Sequence, residues 1–152
     1  MSSTIYLAGP LFTAAEREWN ERLAKALRAR ECDVVLPQVE AEPYITPRGI
    51  DFAAIFASCL EHIRAADAVV AIFDGTDVDS GTAFECGYAY ATGKPVVGVR
   101  TDLRSGGEEN GVNAMLSRCC LRVVHMPAFE TGDELVDAIL AALREAIQSG
   151  RA

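Results

Sequence analysis

Hydrophobic positions in this chain follow two rhythms, short β-branched runs and longer stretches with apolar residues every three or four positions. Thr4-Ile5-Tyr6-Leu7-Ala8 predicts a strand that stops at the turn Gly9-Pro10. Thr13-Ala14-Ala15-Glu16 has the form of a capping box, in which Thr and Glu side chains satisfy the first free backbone N–H groups. The helix it opens carries Trp19, Leu23, Ala26 and Leu27 on one face and runs to about Arg30. Asp33–Leu36 predicts a second strand closed by Pro37. Residues 38–50, with Pro43, Pro47 and Gly49, read as an irregular loop. Phe52–Ala65 predicts a second helix, with Ile55, Phe56, Cys59, Leu60 and Ile63 at helical spacing.

Asp67–Phe73 is apolar after its first residue and rich in β-branched side chains, which suits a strand covered on both faces. A polar loop, Asp74–Ser80, leads to a third helix, Gly81–Thr92, with Gly93 at its C-terminal cap. Pro95–Arg100 is a fourth strand, residues 101–112 a polar loop, Asn113–Arg118 a turn or two of helix, and Leu121–His125 a fifth strand. Thr131-Gly132-Asp133-Glu134 opens a last amphipathic helix to about Gln148. Strands alternating with helices imply βαβ units and a mainly parallel five-stranded sheet with helices on both faces. The expected fold is a doubly wound, flavodoxin- or Rossmann-like α/β domain spanning residues 1–152 as a single unit. Such sheets bind ligands beyond their C-terminal strand ends. Here those ends lead into Gly9–Phe12, Gln38 onward, Asp74–Glu85 and the loop after Arg100.

Charge and composition narrow the partners. Fourteen basic against 22 acidic residues give a net charge of −8 and a pI near 4.7, which excludes the broad basic face needed for nucleic-acid binding. A small nucleoside remains admissible. Apolar runs such as Ala68–Phe73 fall far short of the roughly 20 residues of a membrane span, and the N-terminus lacks a signal-peptide pattern. The five cysteines (Cys32, Cys59, Cys86, Cys119 and Cys120) include no pair at two-residue metal-ligand spacing. A reduced, cytoplasmic protein with small hydrophobic thiols is expected. His62 and His125 are the only histidines and lack partners at metal spacing, so neither a metal nor another cofactor is expected.

No dinucleotide loop, P-loop or serine elbow is present. The candidate chemistry is a carboxylate group at a strand end: Asp74, Asp77, Asp79 and Glu85. Asp74 and Asp77 read more simply as solubilising loop charge, and helix capping alone would explain Asp79. Glu85 is different, because it lies in an otherwise apolar helix where a carboxylate is costly unless paired or used. Tyr6, near the end of the first strand, could donate its hydroxyl to it. A carboxylate held in this way suits a nucleophile that forms an ester with a sugar carbon.

With these residues in view, the chain resembles the nucleoside 2-deoxyribosyltransferases. The resemblance rests on Ile5–Phe12, Asp67–Val70, Asp79-Ser80-Gly81-Thr82-Ala83-Phe84-Glu85-Cys86-Gly87-Tyr88-Ala89, Gly93–Val96 and Val112–Met115, in that order, and spans residues 4 to about 125. It implies exchange of the base on a 2′-deoxynucleoside, with a free base as second substrate. Glu85 matches the nucleophile that attacks C1′, giving a deoxyribosyl-enzyme that a second base attacks with overall retention. Tyr6 matches the tyrosine that orients it, and Asp79 the aspartate that binds the sugar's 5′-hydroxyl. Asn113 matches an asparagine that a neighbouring subunit contributes to the same hydroxyl, with Met115 beside the sugar, so a homo-oligomer is implied. Phe12 would pack on the base, Gly9 lies in the matching turn, and Gln38 is a looser match for the base's polar edge.

One position departs from the pattern. Where relatives carry a carboxylate or amide that contacts the base, this chain has Cys59, a neutral thiol with a reference pKa of about 8.5. Either Cys59 packs into the apolar face and the base is protonated by water, Glu61 or Asp51, or the base preference differs. Two other readings stand beside the transferase. One is a nucleoside 5′-monophosphate N-glycosidase, whose branch places a serine at the position of Asp79; Ser80, Arg100 and Arg104 could favour phosphate here. The other is a non-catalytic nucleotide sensor.

Overall fold

The computed structural model describes residues 3–104, 109–127 and 132–149. Five strands, β1 (Thr4–Ala8), β2 (Asp33–Val35), β5 (Ala68–Ile72), β6 (Val96–Arg100) and β7 (Arg122–His125), form one sheet in the order β2-β1-β5-β6-β7. Every neighbouring pair in it is parallel. With the main strands taken in chain order this is the 2-1-3-4-5 arrangement of the flavodoxin-like α/β fold. The crossovers are α1 (Ala14–Arg28), α3 (Phe52–Ala65), α4 (Ser80–Ala91) and α5 (Ala114–Cys119), and α6 (Asp133–Ser149) follows the last strand. No helix among the described residues is long and apolar enough to cross a membrane.

Strand alternation divides the core into two layers. Ile5 and Leu7, Ala68, Val70 and Ile72, and Val97 and Val99 pack with Leu23 and Leu27 of α1 and Leu135, Ile139 and Leu143 of α6. Tyr6 and Ala8, Val69, Ala71 and Phe73 turn the other way, toward Ile63 of α3 and Cys86 and Ala89 of α4. All five residues of β5 are buried, as expected for the central strand. The α1 capping box forms, with Glu16 N–H donating to Thr13 Oγ1 at 3.2 Å and Thr13 N–H to Glu16 Oε2 at 2.7 Å.

The structure corrects the loop expected at 38–50. Pro37–Glu40 is one turn of helix (α2), Glu42–Tyr44 a 3-10 turn, and Ile45–Thr46 (β3) pairs antiparallel with Gly49–Ile50 (β4). The α3 helix has the bounds its pattern gives, but of its apolar stripe only Ile63 is buried. Phe56 is more than half exposed. The cap expected at Thr131 and residues 105–108 of the polar loop lie outside the described residues.

Candidate functional site

Register and helix phase bring two distant residues together. Tyr6 sits opposite Val69 in the sheet and, by alternation, points to the α3–α4 side. The α4 helix starts immediately after Asp79, and Glu85 lies in its second turn. The Tyr6 hydroxyl donates to Glu85 Oε1 at 2.5 Å, the short distance of a charge-assisted bond to a carboxylate. Tyr6 is fully buried, and burial and then the charge of Glu85 drive its own ionisation far up, so it stays a donor.

Glu85 is half-buried, and its carboxyl is pushed up to about 7. Burial is the main cause, the nearby charge of Asp79 adds to it, and the Tyr6 bond opposes it. The result is a carboxylate poised near neutrality and held in one orientation by a single strong donor. Asp79 is the N-cap of α4: its Oδ2 accepts from Thr82 N–H at 2.9 Å and from Thr82 Oγ1 at 3.2 Å. Capping and charge coupling to Glu85 coexist in this one side chain, because both capping bonds fall on one of its two oxygens. Cys59 packs against the apolar cluster that contains Tyr6. Burial pushes the Cys59 thiol up, so it stays a neutral S–H group.

The other candidates stand apart from this group. Gly9 lets the backbone approach the core, since a Cβ there would come within 3.1 Å of Ile72 Cδ1 and 3.3 Å of Asn20 Oδ1. Gln38 is buried, and both ends of its amide are engaged: Oε1 accepts from Asn20 Nδ2 at 3.2 Å, and Nε2 donates to Glu21 Oε1 at 2.9 Å and to the Arg17 carbonyl at 3.1 Å. A base edge would have to displace these partners. Phe12 is 75% exposed and Met115 81% exposed. Asn113 caps the short α5 helix, its Oδ1 accepting from Met115 N–H at 2.9 Å. Among the described residues, none of these side chains is hydrogen-bonded to Tyr6 or Glu85.

Two features of the strand ends were not legible beforehand. Asp74, read as loop charge, ties β5 to β6, with Oδ1 accepting from Thr101 N–H at 2.6 Å and Asp102 N–H at 2.9 Å, and Oδ2 from Thr101 Oγ1 at 2.6 Å. Arg100 is buried and donates to the carbonyls of Phe73, Gly75 and Arg104, the last at 2.8 Å. Arg104 in turn pairs with Asp102, its Nε donating to Oδ1 at 2.8 Å, and this holds the Asp102 carboxyl well below the usual range. Both arginines considered for phosphate are thus committed to holding the loop after β6. The signal in the sequence was an arginine closing an otherwise apolar strand. A cavity of about 780 Å³ lies at the N-terminal strand ends, beside Ser3, Arg28, Cys32 and Asp33. Ile5 also lines it, on the α1–α6 face of the sheet, whereas Tyr6 turns to the opposite face, and size alone does not make the cavity the reactive site.

Residues 5–116 match the model of the nucleoside 2-deoxyribosyltransferase family. The chain belongs to that family. No curated protein sequence matches it closely enough to count as a relative. Among solved structures it is similar to a conserved protein from Enterococcus faecalis, with 28% identity over 95% of this chain and 99% of that one, at a TM-score of 0.76. A 2-deoxyribosyltransferase from Bacillus psychrosaccharolyticus also shares 28% identity, over 80% and 85% of the two chains, at a TM-score of 0.67. The CMP N-glycosidase of Clostridium botulinum shares the fold, with 18% identity over 91% and 98% and a TM-score of 0.60. This member of the nucleoside 2-deoxyribosyltransferase family is therefore a nucleoside-processing enzyme.

Proposed function

We propose that the protein transfers 2′-deoxyribose from one base to another by double displacement on Glu85. The observation that carries this reading is the 2.5 Å hydrogen bond from Tyr6 to Glu85 Oε1. An oriented, partly desolvated carboxylate beside a neutral phenol is the arrangement a glycosyl ester needs. In the first step a Glu85 carboxylate oxygen attacks C1′, and the C–N bond electrons leave with the base, which takes its proton from solvent. In the second step the nitrogen of an incoming base attacks C1′, loses a proton, and returns the electron pair to the carboxylate. Two inversions give net retention.

In this scheme Tyr6 orients the nucleophile and stabilises it as the carboxylate. Asp79 accepts from the 5′-hydroxyl, and its charge disfavours a 5′-phosphate by roughly 1–4 kcal/mol at surface-like dielectric. Arg100 directs its N–H groups at loop carbonyls and Arg104 pairs with Asp102, which supports a free 5′-hydroxyl over a phosphate held by these two arginines. Phe12 covers the base, and Cys59 acts by packing rather than by proton transfer.

The active species is a homo-oligomer in which Asn113 and Met115 of one chain complete the pocket of another. The exposure of Met115 supports this, as does an uncovered aromatic group on α3 and α4. Phe56 and Phe84 lie 5.8 Å apart and Phe84 and Tyr88 6.5 Å apart, with Phe52 exposed on the first turn of α3. Incubation with deoxyinosine, with and without adenine, tests the reaction in one chromatogram. Deoxyadenosine formed only with adenine present is the expected result. Hypoxanthine and free sugar at the same rate with and without adenine would make the protein a hydrolase, and binding without any released base would make it a sensor.

A further inference from the structure

Arg100 closes β6 and is 3% exposed. Among the described residues its guanidinium meets no carboxylate at ion-pair distance, and its Nε has no hydrogen-bond partner. A buried charge without a counter-charge is costly, and what holds this one is backbone. Nη1 donates to the Phe73 carbonyl, Nη2 donates to the Arg104 carbonyl at 2.8 Å, and both lie 3.4 Å from the Gly75 carbonyl oxygen.

The same guanidinium also lies against Gly111. A Cβ at Gly111 would stand 2.8 Å from Arg100 Nη2 and 2.8 Å from the Arg104 carbonyl oxygen, and the residue has a φ of +85°. Glycine is the residue that fits both constraints. Val112 is then buried in the apolar cluster that contains Tyr6, and Asn113 caps α5. The loop at Gly75 has further ties to the end of β6. Asp74 Oδ1 accepts from Thr101 N–H and Asp102 N–H, and Asp102 Oδ2 accepts from Gly75 N–H at 3.0 Å.

We propose that Arg100 is a positioning residue for the neighbouring chain's site. Its guanidinium is the seat against which Gly111 rests, and that seat sets the place from which Asn113 is presented to the partner's 5′ subsite. This rests on the reading that Asn113 completes a neighbour's pocket. Without the guanidinium, the ties through Asp74 and Asp102 keep the loop leading to Asp79 in place within the same chain. Asn113, two residues beyond the lost seat, is displaced. The defect of an Arg100 variant therefore falls in the site of the chain beside it and leaves its own Glu85 competent.

Mixed oligomers of full-length variants test this. Arg100→Met alone should lose roughly tenfold in kcat/KM for deoxyinosine, the worth of one hydrogen bond, yet stay within about twofold of the wild type on a donor lacking the 5′-hydroxyl. Mixed with Glu85→Ala protein, it should exceed the summed activity of the two alone, because its Glu85 then receives a correctly placed Asn113. Mixed with Asn113→Ala protein it should gain nothing, because no site then receives one. Gly111→Ala crowds the same seat with Arg100 still present and should give the same two results, which keeps the test decisive if loss of the buried guanidinium unfolds the chain. Gain with Asn113→Ala, gain with neither partner for both variants, or an equal loss on the donor lacking the 5′-hydroxyl would overturn the proposal. The Glu85→Ala and Asn113→Ala mixture separates the two failures. If that pair regains activity while the Arg100→Met and Gly111→Ala mixtures break the pattern, only the role of Arg100 falls; if it regains none, the shared pocket falls and this role with it.

Discussion

Replacing Glu85 with glutamine should stabilise the fold while removing transfer. The amide keeps an oxygen for the Tyr6 hydroxyl and nearly the same volume, so the packing around α4 is retained. What it removes is a carboxyl whose pKa rises from 4.5 to about 7 on folding, mainly through burial. A raised acid pKa means that the native state holds its proton more tightly than the unfolded state does. Its destabilising effect is therefore absent below about pH 4.5, grows between 4.5 and 7, and is complete above 7. The cost is about 1 kcal/mol at pH 5.5 and about 3 kcal/mol at pH 8. For a chain of this length, roughly 3 kcal/mol corresponds to a melting temperature higher by on the order of 5–10 °C. Thermal unfolding of both proteins at pH 5.5 and pH 8 measures the effect. The glutamine variant should gain at both values and gain more at pH 8. Equal melting temperatures at pH 8, or a gain independent of pH, would refute the reasoning that Glu85 is a strained carboxylate. The same titration governs rate, so kcat/KM of the wild type should fall as pH drops through about 7.

The remaining predictions address the sugar, the neighbour and the base. Asp79→Ser should shift preference from deoxynucleosides toward their 5′-monophosphates, measured as the ratio of the two kcat/KM values; an unchanged ratio would remove Asp79 from the 5′ subsite. A serine also caps a helix, so α4 should keep its start. Glu85→Ala and Asn113→Ala proteins, each of low activity, should regain activity when mixed if the chains exchange, because one class of site then carries both native residues. A monomer by light scattering at assay concentration with full activity contradicts the shared pocket. Cys59→Ala should stay within a few-fold of the wild-type rate, because the Tyr6–Glu85 bond does not depend on it. Cys59→Asp should raise turnover of poor leaving groups more than of good ones. A large loss in a folded Cys59→Ala protein would make the thiol a participant in the chemistry.

Much of this was legible in the sequence because the central strands leave little choice. Ala68–Ile72 has no polar residue and is buried throughout, and the alternation in Ile5, Tyr6, Leu7 and Ala8 assigns each side chain to a layer. That alternation, together with a carboxylate in an apolar helix, was enough to pair Tyr6 with Glu85 across 79 positions. The hairpin at 45–50 escaped because strands of two exposed residues have no period to read. The partners of Gln38 escaped because a glutamine after a strand is equally suited to a ligand and to buried partners, here Asn20, Arg17 and Glu21. The stripe of α3 shows a further limit. Periodicity identifies an apolar face but not what covers it, and Phe56 of that stripe remains uncovered in the single chain.

The central claim is that a deoxyribosyl ester forms on Glu85, and trapping that ester tests it most directly. A donor nucleoside bearing fluorine at C2′ slows both displacements and makes the second one slow enough for the intermediate to be weighed. Intact-mass analysis should show one added fluorosugar per chain, and peptide sequencing should place it on Glu85, with discharge on addition of adenine. The Glu85→Gln protein should gain no mass. A label on any other residue, or turnover of the fluorinated donor with no adduct at any time, would contradict the account.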